Sequence, residues 1–402
     1  MTPDREAPPP VLTSQDPARE PAGPSPTATQ AALSRGSVLA TPPAARKIGG
    51  RSRLPSQPLL RHLLVAVGGL VVIWAITSTV SSYDNFQIAQ VGAYVVAIAG
   101  LTVLTGLNGQ ISLGHGALMG IGAYAAALIM IHANFPLAVV LVLAALAAAL
   151  AGLLIGIGAA RLRGPYLAGA TLALAVGLPA IAYRWPSSLG GGSGLSINQP
   201  TPPTFLGANF DPQEWIAWIS GLCVVITLVI LANLIRSRYG RSFRAVRDDE
   251  IAASLAGIHV PRVQVTAFVV SSACAGLGGA LLALSTGTVN PLGFPLSLSI
   301  ALIAGMVVGG LGSLTGAIWG GILIVYLPQW ATSVSNNFGF SKGVSSNLAF
   351  GVYGLALIIA MLAFPGGIQG GVWRLVNGVR ARRARRNSPA SAGPQSNEHE
   401  QG

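Results

Sequence analysis

The sequence predicts an all-α polytopic membrane protein: about ten transmembrane helices, some broken by glycine, with the N- and C-termini cytoplasmic. Composition is the first observation behind that class. Of 402 residues, 51% are hydrophobic and 9% charged, and mean hydropathy is +0.61, whereas a soluble domain carries roughly 25% charged residues. The second is a series of apolar runs near the ~20 residues with which a helix crosses a bilayer. The third is where the cations lie. The +12 formal charge sits in the N-terminal tail, short loops, one central loop and a C-terminal run, Arg380, Arg382, Arg383, Arg385 and Arg386. That is positive-inside patterning with some attraction to membrane lipid head groups, and it is not a nucleic-acid footprint.

Taken in order, residues 1–57 are rich in Pro, Ala, Ser and Thr without apolar periodicity. Such a segment cannot bury enough surface to offset its ordering entropy and is expected to be a disordered cytoplasmic tail. It does not read as a signal peptide, because the apolar run Leu63–Val80 is too long for an h-region. The apolar membrane domain then covers 58–370, with spans expected at 62–80, 86–105, 110–131, 136–160, 165–184, 214–235, 264–285, 296–310, 314–330 and 347–365. Starting inside and alternating places Arg161, Arg163, the loop 236–264 and the C-terminal arginines inside, and Asp84, Asp211 and Glu214 outside. The region 186–213, with Gly190–Gly192 and the prolines Pro200, Pro202 and Pro203, is expected as an external loop, and 371–402 as a basic then polar cytoplasmic tail.

Glycine (51 residues) interrupts two stretches. Gly106, Gly109, Gly114 and Gly116 break one; Gly309, Gly310 and Gly312 break the pair 296–310 and 314–330, whose spans are short. Glycine in such places serves either non-helical backbone at membrane depth or close helix packing, and the sequence weighs these evenly. Cys223 and Cys274 lie in apolar runs and read as small buried hydrophobes, without metal-type spacing.

The spans carry no Asp, Glu or Lys near their centres, which disfavours coupling to an ion gradient. His115 is the one titratable group at depth, and a lone histidine in a glycine-rich segment reads first as a packing or hydrogen-bonding residue. No phosphate loop, no H-E-x-x-H, no paired carboxylates and no serine elbow are present. No catalytic residue, metal ligand or bound cofactor is therefore expected. A pathway of this kind is either passive or driven by another polypeptide.

The loop 236–264 bears on that choice. It holds six of the arginines and three of the twelve acidic residues, between long apolar segments. A charged, helix-forming loop in so apolar a chain suggests the docking of a soluble partner; a helix that only anchors topology is the alternative.

Four ordered motifs carry a family resemblance. The run Gly106-Leu-Asn-Gly-Gln-Ile-Ser-Leu-Gly-His-Gly-Ala-Leu-Met-Gly-Ile-Gly-Ala-Tyr124 resembles the signature of branched-chain amino-acid ABC transporter permeases. Arg161–Leu172 is similar to that family's basic turn and following helix, Gly190–Leu195 to its external glycine motif, and Gly309–Gly316 to its late glycine loop. The resemblance covers about 60–370 and is of the longer, LivM type.

It implies a permease subunit without its own ATPase site, in a bacterial plasma (inner) membrane. The implied partners are a homologous second permease, two ATP-binding subunits that use the ATP, and an extracytoplasmic substrate-binding protein. Branched-chain amino acids are the implied cargo, with urea or small amides moved by close relatives. Arg247–Gly257 resembles the coupling helix that engages the ATPase subunits, so Asp248, Asp249, Glu250, Ala253 and Gly257 are the implied contacts. The acids suit the positive end of a helix, while Gly257 ends it and Pro261 prevents its continuation.

For the path itself, Asn108, Gln110, Ser112 and His115 bring donors and acceptors to a depth where unsatisfied polar groups are costly. They either line the path or satisfy the backbone broken at the glycines, the second role being favoured slightly for Asn108 and Gln110. Tyr124, Tyr166 and Thr171 are lesser candidates. The rival function is a passive channel or facilitator for small neutral solutes, with a secondary carrier and a membrane scaffold behind it.

Overall fold

The computed structural model describes residues 58–159, 165–204, 207, 210–337 and scattered positions between 354 and 377. The chain divides into two units, Met1–Ser56 and Gln57–Gly402. The first, with the expected tail 1–57, and nearly all of 371–402 lie outside the described residues.

The helices of the second unit are α1 (Pro58–Thr77), α2 (Ser82–Leu101), α3 (His115–His132), α4 (Leu137–Ala159), α5 (Pro165–Arg184), the single turn α6 (Pro186–Leu189) and α7 (Pro212–Arg236). Then come α8 (Arg238–Asp248), α9 (Glu250–Leu255), α10 (Val260–Thr286), α11 (Leu296–Gly310) and α12 (Leu314–Asn337). Helix α2 runs on as a π-helical turn, Thr102–Leu107. Seven helical stretches among the described residues are long and apolar enough to cross a membrane, with shorter apolar helices at Val67–Thr77 and Leu314–Trp330. The protein is an all-α multi-pass membrane protein. The expected span 347–365 falls almost wholly outside the described residues.

Helix starts follow from local chemistry. Ser81 caps α2 by accepting from the Asp84 amide (3.2 Å), and Asp211 caps α7 by accepting from the Gln213 amide (3.1 Å), each satisfying a donor that the first turn leaves unpaired. Helix α10 occupies the centre and packs against α4, α2 and α3; α2 in turn carries α7 and α12. At two crossings of α10 with α3 the backbones themselves meet. A Cβ at Gly122 would fall on the Gly276 backbone, and one at Gly279 on the Met119 carbonyl oxygen. Helices in lipid gain no hydrophobic effect from meeting one another, so close van der Waals approach between small residues holds them together. Conversely, Val142, Leu146, Leu150 and Leu154 of α4 recur every four residues and are exposed, an apolar stripe suited to acyl chains.

Three features differ from the sequence expectation. The span expected at 110–131 begins only at His115, because residues 108–114 pass without helix. The two glycine-rich stretches have opposite fates: 106–116 is a true break, whereas the late cluster makes a tight α11–α12 hairpin, with a Cβ at Gly309 meeting Gly316. Glycine signals both outcomes equally in a sequence, and only the packing partner distinguishes them. Finally, the expected external loop contains a two-residue strand, β1 (Leu195–Ser196), pairing antiparallel with β2 (Thr288–Val289). Gln199 reinforces this tie by donating to the Leu284 and Ser285 carbonyls (3.0 and 2.8 Å).

Candidate functional site

The break after α2 builds the first part of the site. As the helix widens into its π turn, the carbonyls of Val103, Leu104 and Thr105 accept from the amides of Asn108, Gln110 and Gly109. Thr105 Oγ1 donates to the Gln110 carbonyl (2.8 Å). Gly109 stands at φ 77°, a left-handed conformation that glycine adopts without penalty. Further on, the Leu113 amide donates to Thr171 Oγ1 (3.0 Å) and the Gly116 amide to Ser299 Oγ (3.0 Å). A Cβ at Gly114 would lie 2.6 Å from the Thr171 carbonyl oxygen. The segment is thus held by α5 and α11, through backbone groups that a helix would have satisfied internally.

His115, fully buried, donates from Nε2 to the Ala97 carbonyl (3.0 Å), leaving Nδ1 an acceptor. Among the described residues that Nδ1 has no protein partner, and neither do both amide atoms of Asn108, Gln110 Oε1, Ser112 Oγ and Tyr124 Oη. An unpaired buried polar group costs roughly 1–3 kcal/mol, so a concentration of them in residues 108–115 has to be offset by the rest of the fold. The expectation that Asn108 and Gln110 satisfy the broken backbone is therefore corrected for Asn108, whose side-chain amide makes no hydrogen bond among the described residues. Thr105, Thr171, Ser299 and the turn's own amides do that work. Donors and acceptors without formal charge remain unpaired in this segment.

Thr171 gives a direct test of this construction. Thr171→Val, nearly isosteric, removes the acceptor of the Leu113 amide and is expected to lower stability by about 1–3 kcal/mol. The thermal midpoint of the detergent-purified protein reads this out, with Thr171→Ser keeping the parent value. An unchanged midpoint in the valine variant would show that Thr171 does not hold the segment.

The second part lies at the arginine-rich end of the bundle. Helix α8 buries Gly240, Phe243 and Val246 at a spacing of three, while Arg238, Arg241, Arg244 and Arg247 occupy the outward positions. Asp249 closes α8 and caps α9: its Oδ1 accepts from the amides of Ile251 (2.8 Å) and Ala252 (3.0 Å). Gln264 Nε2 donates to Glu250 (2.9 Å). Gly257, at φ 81°, ends the short helix. Its solvent face carries Ile251 and Leu255, 74% and 84% exposed. Two large apolar side chains are thus left exposed side by side on a six-residue helix.

Of the residues anticipated from sequence, Asn108, Gln110, Ser112, His115 and Thr171 come together. Tyr124 is buried further along α3, and Tyr166 is 75% exposed at the start of α5, outside the cluster. Asp249, Glu250 and Gly257 belong to the short helix or its ends, whereas Asp248 terminates the preceding one. Ala253 is 4% exposed and faces its own chain, whereas Ile251 and Leu255 face outward. Sequence reasoning missed Thr105, Ser299 and Arg247. A hydroxyl in the apolar run of α11 was a usable signal for Ser299; nothing local marked the other two. No group of three or more His, Cys, Asp or Glu side chains able to hold a metal occurs among the described residues.

Comparison with known proteins adds an independent line. The family profile described as "Branched-chain amino acid transport system / permease component" matches residues 86–364. The chain is similar to the high-affinity branched-chain amino acid transport system permease protein LivM of Escherichia coli strain K12, 33% identical over 283 residues, covering 65% of this chain and 66% of that one. It is also similar to the corresponding permease protein BraD of Pseudomonas aeruginosa, 27% identical over 311 residues (69% and 91% of the two chains). A third relative is the permease protein LivH of E. coli K12, 33% identical over 164 residues (40% and 49%). The chain spans just under two thirds, 66%, of the LivM relatives' length. No solved structure matches.

Proposed function

The chain belongs to the branched-chain amino acid transport permease family, and on that premise we propose that it is the membrane-spanning subunit of an ATP-driven importer. Its cargo is a branched-chain amino acid or a related small polar solute such as urea or an amide. The observation that carries the reading is α9, a capped short helix that projects Ile251 and Leu255 into solvent at the arginine-rich end. A passive channel has no use for such a surface, whereas an ATPase subunit provides the cleft it fits.

In this reading the arginine-rich end is cytoplasmic, in a bacterial inner membrane, with about ten spans and both termini inside. A homologous permease completes the pathway, and two ATP-binding subunits dock on the α9 surfaces. An extracytoplasmic binding protein delivers substrate to the opposite end. The unpaired polar atoms at Asn108, Gln110, Ser112 and His115 then meet the solute's own donors and acceptors as it passes, and tight selection is left to the binding protein. The chain itself makes and breaks no covalent bond.

The experiment is a mild-detergent pull-down of the tagged chain from its native membranes, followed by mass spectrometry. Recovery of ATP-binding subunits and a second permease is the expected result. Recovery of the chain alone, or only with copies of itself, would overturn the importer reading in favour of a passive channel.

A further inference from the structure

The end of the α2 span holds a contact between the two parts of the site. With Val103, Leu104 and Thr105 carbonyls taken by amides of the turn, the Gly106 carbonyl is next in line. Arg247 Nη1, from the last turn of α8, donates to it at 3.0 Å. The same guanidinium donates from Nη2 and Nε to Asp248 Oδ1 (2.8 and 3.0 Å), which fixes its fork. Its stem lies against Gly109, where a Cβ would stand 2.8 Å from Arg247 Cγ. A Cβ at Gly106 would stand 2.8 Å from the Gly312 amide nitrogen, so the α11–α12 turn closes the other side. The cation meets the negative end of the helix dipole, where it is favoured. One residue, Asp249, separates Asp248 from the first residue of α9, and one, Leu107, separates Gly106 from Asn108.

Resting on the importer reading above, the geometry points to Arg247 as the positioning residue that conveys movement of α9 to the polar segment 108–115. Coupling between sites is carried by chains of packed side chains and hydrogen bonds joined to an element that has two arrangements. Arg247 is that connection here: it is bonded to the broken end of the span and lies one residue before the residue preceding the cap of α9. A displacement of α8 and α9 by a docked ATPase pulls on the Gly106 carbonyl and on the left-handed Gly109, the least helical part of the segment. Among the described residues Arg238, Arg241 and Arg244 make no such contact with the broken segment; Arg244 donates to the nearby Ile235 carbonyl (3.4 Å).

The test uses the complex purified with its ATPase subunits, with Cys223 and Cys274 replaced by serine and a single Ile111→Cys as reporter. Ile111 is 55% exposed within the segment. Maleimide labelling is compared between nucleotide-free and ATP–vanadate-trapped complex, alongside ATP hydrolysis and leucine uptake. In Arg247→Gln the ATPase subunits stay bound and hydrolysis continues. The nucleotide-dependent change in labelling disappears and uptake falls about tenfold or more, within the usual range of allosteric couplings. Arg247→Lys keeps the cation without the fork and retains part of the response.

A residue that only stabilised the fold would not separate hydrolysis from labelling in this way. The inference is overturned if labelling in Arg247→Gln still responds to nucleotide as in the parent. It is equally overturned if neither variant assembles, which makes Arg247 a folding residue. Failure of the parent complex to contain an ATPase is a different outcome, and it sinks the importer reading itself.

Discussion

Gly279→Val is expected to abolish accumulation of folded protein. The added Cβ would fall on the carbonyl oxygen of Met119, in the crossing of α10 over α3. Overpacking a core usually costs about 1–3 kcal/mol because side chains can shift. Here the obstacle is backbone within a helix, which can yield only by separating the two helices. Separation would also undo the neighbouring crossing of Gly122 on Gly276 and expose the buried polar segment to lipid. Fluorescence-detected size exclusion after mild extraction should show no monodisperse peak for Gly279→Val. Gly68→Val and Gly177→Val, where nothing lies within 4 Å, should behave as the parent. A normal peak for Gly279→Val would refute the packing described at the centre of the bundle.

The second large effect is on assembly. Ile251→Asp with Leu255→Asp leaves the fold intact, since both side chains are exposed, and removes the apolar surface proposed to enter the ATPase. Two such anchors at roughly 2 kcal/mol each would together weaken association on the order of a thousandfold. The expected result is full yield of the permease, no ATPase subunit in the pull-down and uptake at background. Retention of the ATPase by the double variant would remove α9 as the docking surface. Ala253→Asp serves as a contrast: it places a charge at a buried position and should lower the yield itself.

The spans were legible because a bilayer imposes a simple requirement, about twenty apolar residues with few charges, and α2, α7 and α10 meet it plainly. The charge of the loop 236–264 was also legible in its six arginines and three acids, but the face of α8 buried through Gly240, Phe243 and Val246 went unread. What the sequence could not display was direction within short elements. A six-residue helix such as α9 offers candidate faces on every side, and tertiary packing alone turns Ala253 inward and Leu255 outward. The same holds for the break at 106–114. Its glycines announced irregular backbone, but the hydroxyls that stabilise it, Thr171 and Ser299, come from helices more than fifty residues away. The link between Arg247 and Gly106 spans 141 positions, and no local pattern encodes it.

The central place of α10 also bears on how the chain is made. Helices α2, α3 and α4 leave the ribosome well before the helix that fills the space among them. Between Ala159 and Thr286 lie roughly 130 residues, some 6–25 s of synthesis at about 5–20 residues per second. Throughout that interval the glycine faces of α2 and α3, with the polar atoms near His115, have no α10 to cover them. Insertion machinery or a transient protein contact must shield them until α10 arrives, so the newborn chain is most vulnerable to quality control at mid-length rather than at its end.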